Sequence, residues 1–147
     1  MKLLSGHFEH EQIEDYDDGE CIFEENDTGR DLYIVQSGTV LILKKNNSET
    51  IEMAKFTKGD FFGDIALLQS IPRYAGAFAK GPTRLLTLKP AGFLLKIRRD
   101  PTFAFEMLQQ MSLRVKISND RLLEIVQKFK LPHEEVQKIL MSIGAKV

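Results

Sequence analysis

The sequence contains a single cysteine, Cys21, so no disulfide can form within the chain and nothing suggests a disulfide-stabilised secreted domain. Because Cys21 lies in a short apolar run, we expect a small buried residue rather than a redox thiol. The net charge is only −1, and it gives no electrostatic reason to expect nucleic acid or an anionic membrane as a partner. No apolar run approaches the length of a membrane span. These absences together predict a soluble cytoplasmic protein.

Patterns typical of enzymes and metal sites are also missing. The three histidines, His7, His10 and His133, lie outside the predicted strands, whereas a jelly-roll metalloenzyme would place histidines on them. No Ser-His-Asp, Cys-His or paired-carboxylate arrangement can be assembled from the sequence. We therefore predict no catalytic residues, no metal site and no cofactor.

What is present, in the first 90 residues, is a series of short apolar runs separated by turn residues. This pattern is typical of a sandwich or jelly roll, and 147 residues with 43% hydrophobic content suffice for one core. Ser37-Gly38 separates two β-branched runs, at 32–35 and 40–43, and this predicts a hairpin. Gly81-Pro82 predicts a turn between strands at 75–79 and 83–88. Residues 50–56 alternate as a half-buried strand does.

After Pro90 the apolar period becomes helical. Residues 91–98 indicate a short helix, and a long helix follows, with Asp100 as its N-cap and Pro101 at its first position. Pro132 predicts the end of the long helix, before a short amphipathic tail. We divide the chain into a domain at 1–130, which includes the long helix from about residue 100, and a tail at 131–147.

The long helix has an apolar stripe with the 3-4 spacing of a coiled-coil seam. The seam consists of Leu108, Met111, Val115, Ser118, Leu122, Ile125 and Phe129. It favours a homodimer through the 108–129 helix, because such a stripe needs a second surface to cover it. The alternative is a helix packed on its own barrel, through Phe103, Met107, Leu113 and Ile117.

Residues 59–75 have the features of an anion-binding turn. Gly63 permits close approach of the backbone to a ligand, and a short helix begins at Asp64, whose first N–H groups have no partner within the helix. Those donors and the helix dipole favour a bound phosphate. Arg73 follows the conformationally fixed Pro72 in what we expect to be a solvent-facing loop, and it can supply a positive charge and a planar set of donors. The Asp64 carboxylate can accept a hydrogen bond from a hydroxyl.

These residues resemble the phosphate-binding cassette of cyclic nucleotide-binding domains, whose pattern is F-G-E-I/L-A-L, four residues, then P-R-A/S/T-A. Here it reads Phe62-Gly63-Asp64-Ile65-Ala66-Leu67 and, in register, Pro72-Arg73-Tyr74-Ala75. The resemblance extends over roughly residues 13–130, including 19–23, 27–29 and 32–40. It implies an α+β, mainly β fold: a jelly-roll-like β-roll with a short cassette helix and a long C-terminal helix.

The resemblance also implies a function. It indicates a cyclic nucleotide sensor, with cAMP or cGMP as the ligand, that works through an unknown effector protein or through its own dimer. Ser118 and Asn119 match positions where dimeric bacterial cyclic-AMP receptors contact the purine, and Arg114 matches an arginine near that ligand. The alternative is that Ser118 sets the register of the seam and Asn119 is a surface residue. The implied ligand-binding residues are Phe62, Gly63, Asp64, Ile65, Ala66, Arg73, Tyr74, Ala75, Arg114, Ser118 and Asn119.

Two residues depart from the family pattern. Asp64 replaces the usual Glu and shortens the reach to a ribose hydroxyl by one methylene. Tyr74 replaces Ala, Ser or Thr, and its bulk is expected beside the phosphate. The alternative function is therefore an interaction or dimerisation module that binds no cyclic nucleotide, with the Tyr74 phenol in the phosphate site and linked to Asp64 or Arg73.

The region after Pro132 bears on DNA binding. In transcription regulators of this family a helix-turn-helix domain begins there, and that domain needs two helices and a basic surface. The 15 residues that follow Pro132 are too few for it. We expect a stand-alone bacterial-type member of the family that does not bind nucleic acid.

Overall fold

The computed structural model of the protein describes residues 10–142. It forms two compact units, Met1–Ala104 and Phe105–Val147. His7, one of the three histidines considered above, lies outside the described residues. The proposed domain boundary at residue 130 stays a prediction.

The first unit is built on one antiparallel sheet. Its strands are β1 (Glu11–Tyr16), β2 (Cys21–Phe23), β3 (Leu32–Asn46), β4 (Glu49–Phe56), β5 (Phe61–Phe62) and β6 (Gly76–Leu88). The strand order is β1-β6-β3-β4, with β2 also paired to β6 and β5 to β3. With its flanking helices this is the mainly β, α+β roll that the cassette resemblance implies.

The predicted hairpin at Ser37-Gly38 is wrong. β3 runs unbroken for 15 residues through this point, and both of its halves pair with β6, from Leu32 opposite Leu88 to Leu43 opposite Gly76. The chain direction therefore does not reverse. A register irregularity at residues 37–39 accommodates the turn residues instead.

The predicted turn at Gly81-Pro82 is wrong for the same reason. β6 also runs unbroken, and three of its residues, 81–83, lie opposite Gly38, because Thr39 pairs with Lys80 and Ser37 with Arg84. Gly38 has φ +86°, and a Cβ on it would clash with the carbonyl oxygen of Pro82. A bulge tolerates the missing N–H of Pro82. The irregularities of β3 and β6 therefore face each other, and bulges of this kind bend the strands that contain them.

The core lies within the roll and is rich in aromatic rings. Tyr33, Val35, Val40, Phe62, Ala77 and Leu85 form the buried cluster. The Phe62 ring stacks on Tyr33, with centroids 5.1 Å apart, and on Phe56 at 6.0 Å. β5 is thus anchored in the core directly before the cassette helix begins.

Two predictions about burial are wrong. β4 is largely exposed rather than half-buried, because it is at the end of the strand order, and only Ala54 and Phe56 are partly covered. Cys21 is exposed. Desolvation and the nearby carboxylates of Glu24 and Asp27 raise the pKa of its thiol, so the thiolate is disfavoured at neutral pH.

The predicted helices are confirmed. They are α1 (Asp64–Gln69), α2 (Pro90–Arg99), α3 (Pro101–Lys128) and α4 (His133–Ser142). Asp100 caps α3, since the backbone N–H of Phe103 donates to Asp100 Oδ1 at 3.2 Å. None of the helices within residues 10–142 is both long enough and apolar enough to cross a membrane.

The apolar residues of α3 differ in burial. Phe103 and Met107 are buried, whereas Leu113 and Ile117, expected to share their role, are exposed. Along the seam, Leu108, Val115, Ile125 and Phe129 are at least half exposed. The second unit therefore carries a row of exposed apolar side chains with coiled-coil spacing.

Candidate functional site

Gly63 connects β5 to α1 in a left-handed conformation with φ +84°. A Cβ at this position would lie 2.8 Å from the carbonyl oxygen of Asp31 and 2.9 Å from Arg73 Nη1. Only glycine fits without displacing these groups. The absence of a side chain at Gly63, which we expected to make room for a ligand, thus also makes room for Asp31 and Arg73 of the protein itself.

The short helix α1 turns one apolar face inward. Ala66 and Leu67 are buried, while Ile65 is exposed and Asp64 is half-buried. The first hydrogen bond of the helix runs from the N–H of Leu67 to the carbonyl of Gly63 at 3.4 Å. The N–H groups of Asp64, Ile65 and Ala66 precede it, so they have no partner within the helix. This is the end of α1 at which an anion is favoured.

Arg73 is buried, contrary to the expectation of a solvent-facing loop. Only 2% of the residue is exposed. Its Nη1 donates to the carbonyl of Gly63 at 3.0 Å and its Nη2 to the carbonyl of Asp31 at 2.9 Å. The guanidinium carbon lies 4.2 Å from the centroid of the Phe23 ring. The prediction failed because the covering groups come from β2 and the loop after it, far from Arg73 in sequence.

The electrostatic environment of Arg73 is incomplete. Its Nη1 and Nη2 donate to backbone carbonyls, and the Tyr33 side chain also interacts with the guanidinium. Within residues 10–142 its buried Nε has no hydrogen-bond partner. Burial lowers the pKa of the guanidinium, although Tyr33, Asp31 and Asp27 act in the opposite direction. A buried cation with an unsatisfied donor is costly. A bound anion would supply both the opposite charge and the acceptor.

The loop between β2 and β3 holds the backbone of Arg73. The Arg73 N–H donates to the carbonyl of Asp27 at 2.8 Å, and the Asn26 N–H donates to the carbonyl of Arg73 at 2.8 Å. The neighbouring Arg30 donates from Nη2 to the carbonyl of Leu67 at 3.1 Å and to Ser70 Oγ at 2.9 Å. Sequence reasoning missed the part this loop plays. The only signal was its place in the family resemblance, at residues 27–29.

Tyr74 is directed toward the surface. It is 49% exposed, whereas its neighbours Arg73 and Ala75 are buried. Lys44 Nζ lies 4.0 Å from the centroid of the Tyr74 ring and donates to the Tyr74 carbonyl at 2.7 Å. The same ammonium forms an ion pair with Glu25 at 2.8 Å. The Tyr74 ring therefore lies against Lys44, and the guanidinium of Arg73 lies over Phe23.

The predicted site residues other than Tyr74 thus fall into three groups. Gly63, Asp64, Ile65, Ala66 and Arg73 are brought together at the start of α1. Phe62 and Ala75 are buried on either side of them. Arg114, Ser118 and Asn119 lie on α3 in the second unit, with Ser118 and Asn119 exposed and Arg114 half-buried. Contact of any of these residues with a ligand stays a prediction.

Comparison with protein families gives one match. The family model described as "Cyclic nucleotide-binding domain" matches residues 13–100. This range includes the sheet except for the first two residues of β1, together with α1 and Arg73, and it covers more than half of the chain.

Individual relatives are similar over part of their length. A cAMP-dependent protein kinase regulatory subunit from Mucor circinelloides f. lusitanicus is 32% identical over 78 residues, covering 53% of this chain and 18% of that protein. The chain spans 18% to 20% of the length of three such curated relatives.

The solved structures that resemble this one include the following two. The catabolite activator protein of Thermus thermophilus is 30% identical with a TM-score of 0.70, over 80% of this chain and 55% of that chain. The regulatory domain of Toxoplasma gondii PKA, crystallised with cAMP, is 25% identical with a TM-score of 0.58, over 71% of this chain and 40% of that chain.

Proposed function

The chain belongs to the cyclic nucleotide-binding domain family, and on that premise we propose that it is a sensor that binds cAMP or cGMP through the cassette at Gly63–Arg73. The observation that carries the proposal is the buried guanidinium of Arg73, whose Nε lacks an acceptor among residues 10–142, beside the start of α1. A cyclic phosphate has one negative charge and several acceptor oxygens. It would therefore balance the charge of Arg73 and accept a hydrogen bond from its Nε.

In this proposal the phosphate is held by Arg73 and by the N–H groups of Asp64, Ile65 and Ala66. Asp64 accepts a hydrogen bond from a ribose hydroxyl. Its half-buried position at the first turn of α1 supports this role. The shorter Asp side chain, compared with the usual Glu of the family, restricts how far the ribose can lie from the helix.

We propose that the purine is contacted from α3, by Arg114, Ser118 and Asn119, and that the protein is a homodimer through the 108–129 seam. The exposed seam residues support the dimer. Ligand binding can shift the equilibrium between two arrangements of α3 only by the difference between the ligand's affinities for them. The α3 contacts are thus required for any signal passed to a partner or across the dimer.

The output we propose is binding to an effector protein rather than catalysis or nucleic-acid binding. The regulatory kinase subunits among the relatives support a regulatory role. We place the protein in the cytoplasm, without a cofactor or a metal.

The alternative function, a module whose pocket is blocked by Tyr74, has less support. The exposed Tyr74 ring lies against Lys44, on the opposite side of the chain from the buried side chains of Arg73 and Ala75. We therefore favour an open phosphate site.

The test is isothermal titration with cAMP and cGMP, using Arg73→Lys as the variant. Arg73 uses both terminal nitrogens on two carbonyls, and a lysine cannot reproduce this planar set of donors. We expect saturable binding by the wild type and a loss of affinity of about a hundredfold or more in Arg73→Lys. The matched control is Arg84→Lys, because Arg84 pairs with Asp15 on exposed strand positions away from the cassette.

Three outcomes discriminate between the functions. Equal affinity of wild type and Arg73→Lys would contradict the assigned phosphate site. No binding by the wild type, together with binding by Tyr74→Ala, would establish the blocked pocket. No binding by either, with melting curves showing folded protein, would refute the sensor. Melting curves are needed for every variant because Arg73 is buried.

A further inference from the structure

Arg30 is not among the residues assigned to the ligand, yet it forms hydrogen bonds with the cassette at Leu67 and Ser70. This exposed residue belongs to the loop between β2 and β3. Its Nη2 donates to the carbonyl of Leu67 in the last turn of α1, at 3.1 Å, and to the hydroxyl of Ser70, at 2.9 Å. Ser70 is the C-cap of α1 and has the left-handed φ of +55° that non-glycine residues seldom adopt. Arg30 thus holds the C-terminal end of the cassette helix.

α1 needs such support from outside. A helix of six residues is not stable alone, because its nucleation cost exceeds what so few hydrogen bonds return. Its last turn carries no basic side chain, although a cation there would favour both the dipole and the unpaired carbonyls. Arg30 supplies that cation from 37 residues away in sequence.

The residues on either side of Arg30 contact the other half of the cassette. The carbonyl of Asp31 accepts from Arg73 Nη2 at 2.9 Å. An added Cβ on Gly29 would lie 3.6 Å from the same Nη2, so this glycine is close to the guanidinium. A single tripeptide, 29–31, therefore contacts both α1 and Arg73.

We propose that Arg30 is a positioning residue, which fixes α1 relative to Arg73 so that the helix amides and the guanidinium converge on one phosphate. This rests on the proposed function of the cassette. Arg30 acts through Leu67 and Ser70 and does not itself contact the nucleotide. Its loss removes none of the proposed phosphate-binding groups but lets α1 move relative to Arg73.

The variants follow from the geometry. Both hydrogen bonds of Arg30 come from one nitrogen, so a lysine ammonium, with three donors on one atom, can replace it. We expect Arg30→Gln to bind cAMP and cGMP about three- to tenfold more weakly than wild type. Arg30→Lys is expected to bind within about twofold of wild type. This contrasts with Arg73, where we expect lysine to weaken binding.

Two further variants separate positioning from general destabilisation. Adding Ser70→Ala to Arg30→Gln should weaken binding less than the sum of the single effects, because both changes break the same contact. Arg84→Gln removes an exposed arginine outside the cassette and should bind as wild type does. If Arg30→Lys fails to restore affinity, or if Arg30→Gln binds as tightly as wild type, the proposal is wrong.

A measurement without ligand makes the result independent of the proposed function. Amide hydrogen exchange should be faster in Arg30→Gln than in wild type at Leu67 and Ser70, whose N–H groups form helix and cap hydrogen bonds. It should be unchanged in Arg30→Lys, and also at Val35, whose N–H bonds to Asp60. If the wild type binds no cyclic nucleotide but exchange changes as expected, the sensor proposal fails and the positioning role of Arg30 stands. Unchanged exchange at Leu67 and Ser70 would overturn the role of Arg30.

Discussion

At the scale of single residues, the cassette depends on the buried charge of Arg73 and on the close packing around Gly63. Arg73 is enclosed by the Phe23 ring and by two carbonyls. Burial lowers the pKa of the Arg73 guanidinium, but a guanidinium keeps its charge in proteins. The site therefore holds a permanent positive charge in a place with little solvent, where one added anion has a large effect.

Two glycines with similar backbones allow the crowding at Gly63 to be measured. Gly59 has φ +91° with open space around it, whereas Gly63 has φ +84° with Asp31 and Arg73 against it. Gly59→Ala should lower the free energy of unfolding by about 1 kcal/mol, the cost of a left-handed alanine. Gly63→Ala should cost about 2 kcal/mol beyond that, because its methyl group meets backbone.

Urea unfolding of both variants tests this difference. Similar losses for the two alanine variants would show that Arg73 and the loop at Asp31 can move away, and that the cassette is less rigid than its geometry indicates.

At the scale of secondary-structure elements, β3 and β6 form the part of the sheet to which the cassette is attached through β5. Their facing irregularities, at Gly38 and at residues 81–83, bend a long antiparallel pair, and β5 joins β3 through Tyr33 and Phe62. The first residues of α1 therefore follow directly from a strand fixed in the core. A short helix in this setting is held by its neighbours rather than by its own propensity.

α3 is the element that we expect to form the dimer. Val115 and Ile125, on the seam, are 61% and 50% exposed, and Leu113, off the seam, is 55% exposed. Val115→Glu combined with Ile125→Glu should weaken self-association by about a hundredfold or more, because each carboxylate would be buried in an apolar interface. Leu113→Glu should leave association unchanged.

Sedimentation velocity over a range of protein concentrations measures this effect. An unchanged mass for the double variant would exclude the seam as the interface. A loss of association caused by Leu113→Glu would place the interface on a different face of α3.

At the scale of the whole molecule, the question is how ligand binding would reach α3. This helix begins at Pro101 in the first unit and continues through the second. In the proposed sensor, the residues assigned to the phosphate belong to the cassette and those assigned to the purine lie on α3. A ligand can then pass on a signal only by the difference between its affinities for two arrangements of α3.

Addition of cyclic nucleotide should therefore slow amide exchange on α3 near residues 114–119. Combined Ser118→Ala and Asn119→Ala should remove that protection and weaken binding by about five- to tenfold, the effect of one or two lost hydrogen bonds. Ser112→Ala, on the same helix, is the matched control. Protection that persists in the double variant would show that α3 responds without contacting the purine.

The features that the sequence by itself determined are local. The cassette, the N-cap at Asp100 and the approximate limits of the helices depend on residues a few positions apart, so the pattern was sufficient. Only the tertiary structure decided that Arg73 is buried, that β3 and β6 are unbroken, and that Arg30 supports α1. Each of these depends on pairs of residues about 40 positions apart, such as Arg73 with Asp31 and Arg30 with Ser70. Turn residues such as Gly38 can end a strand or bend it, and the pairing partner decides which.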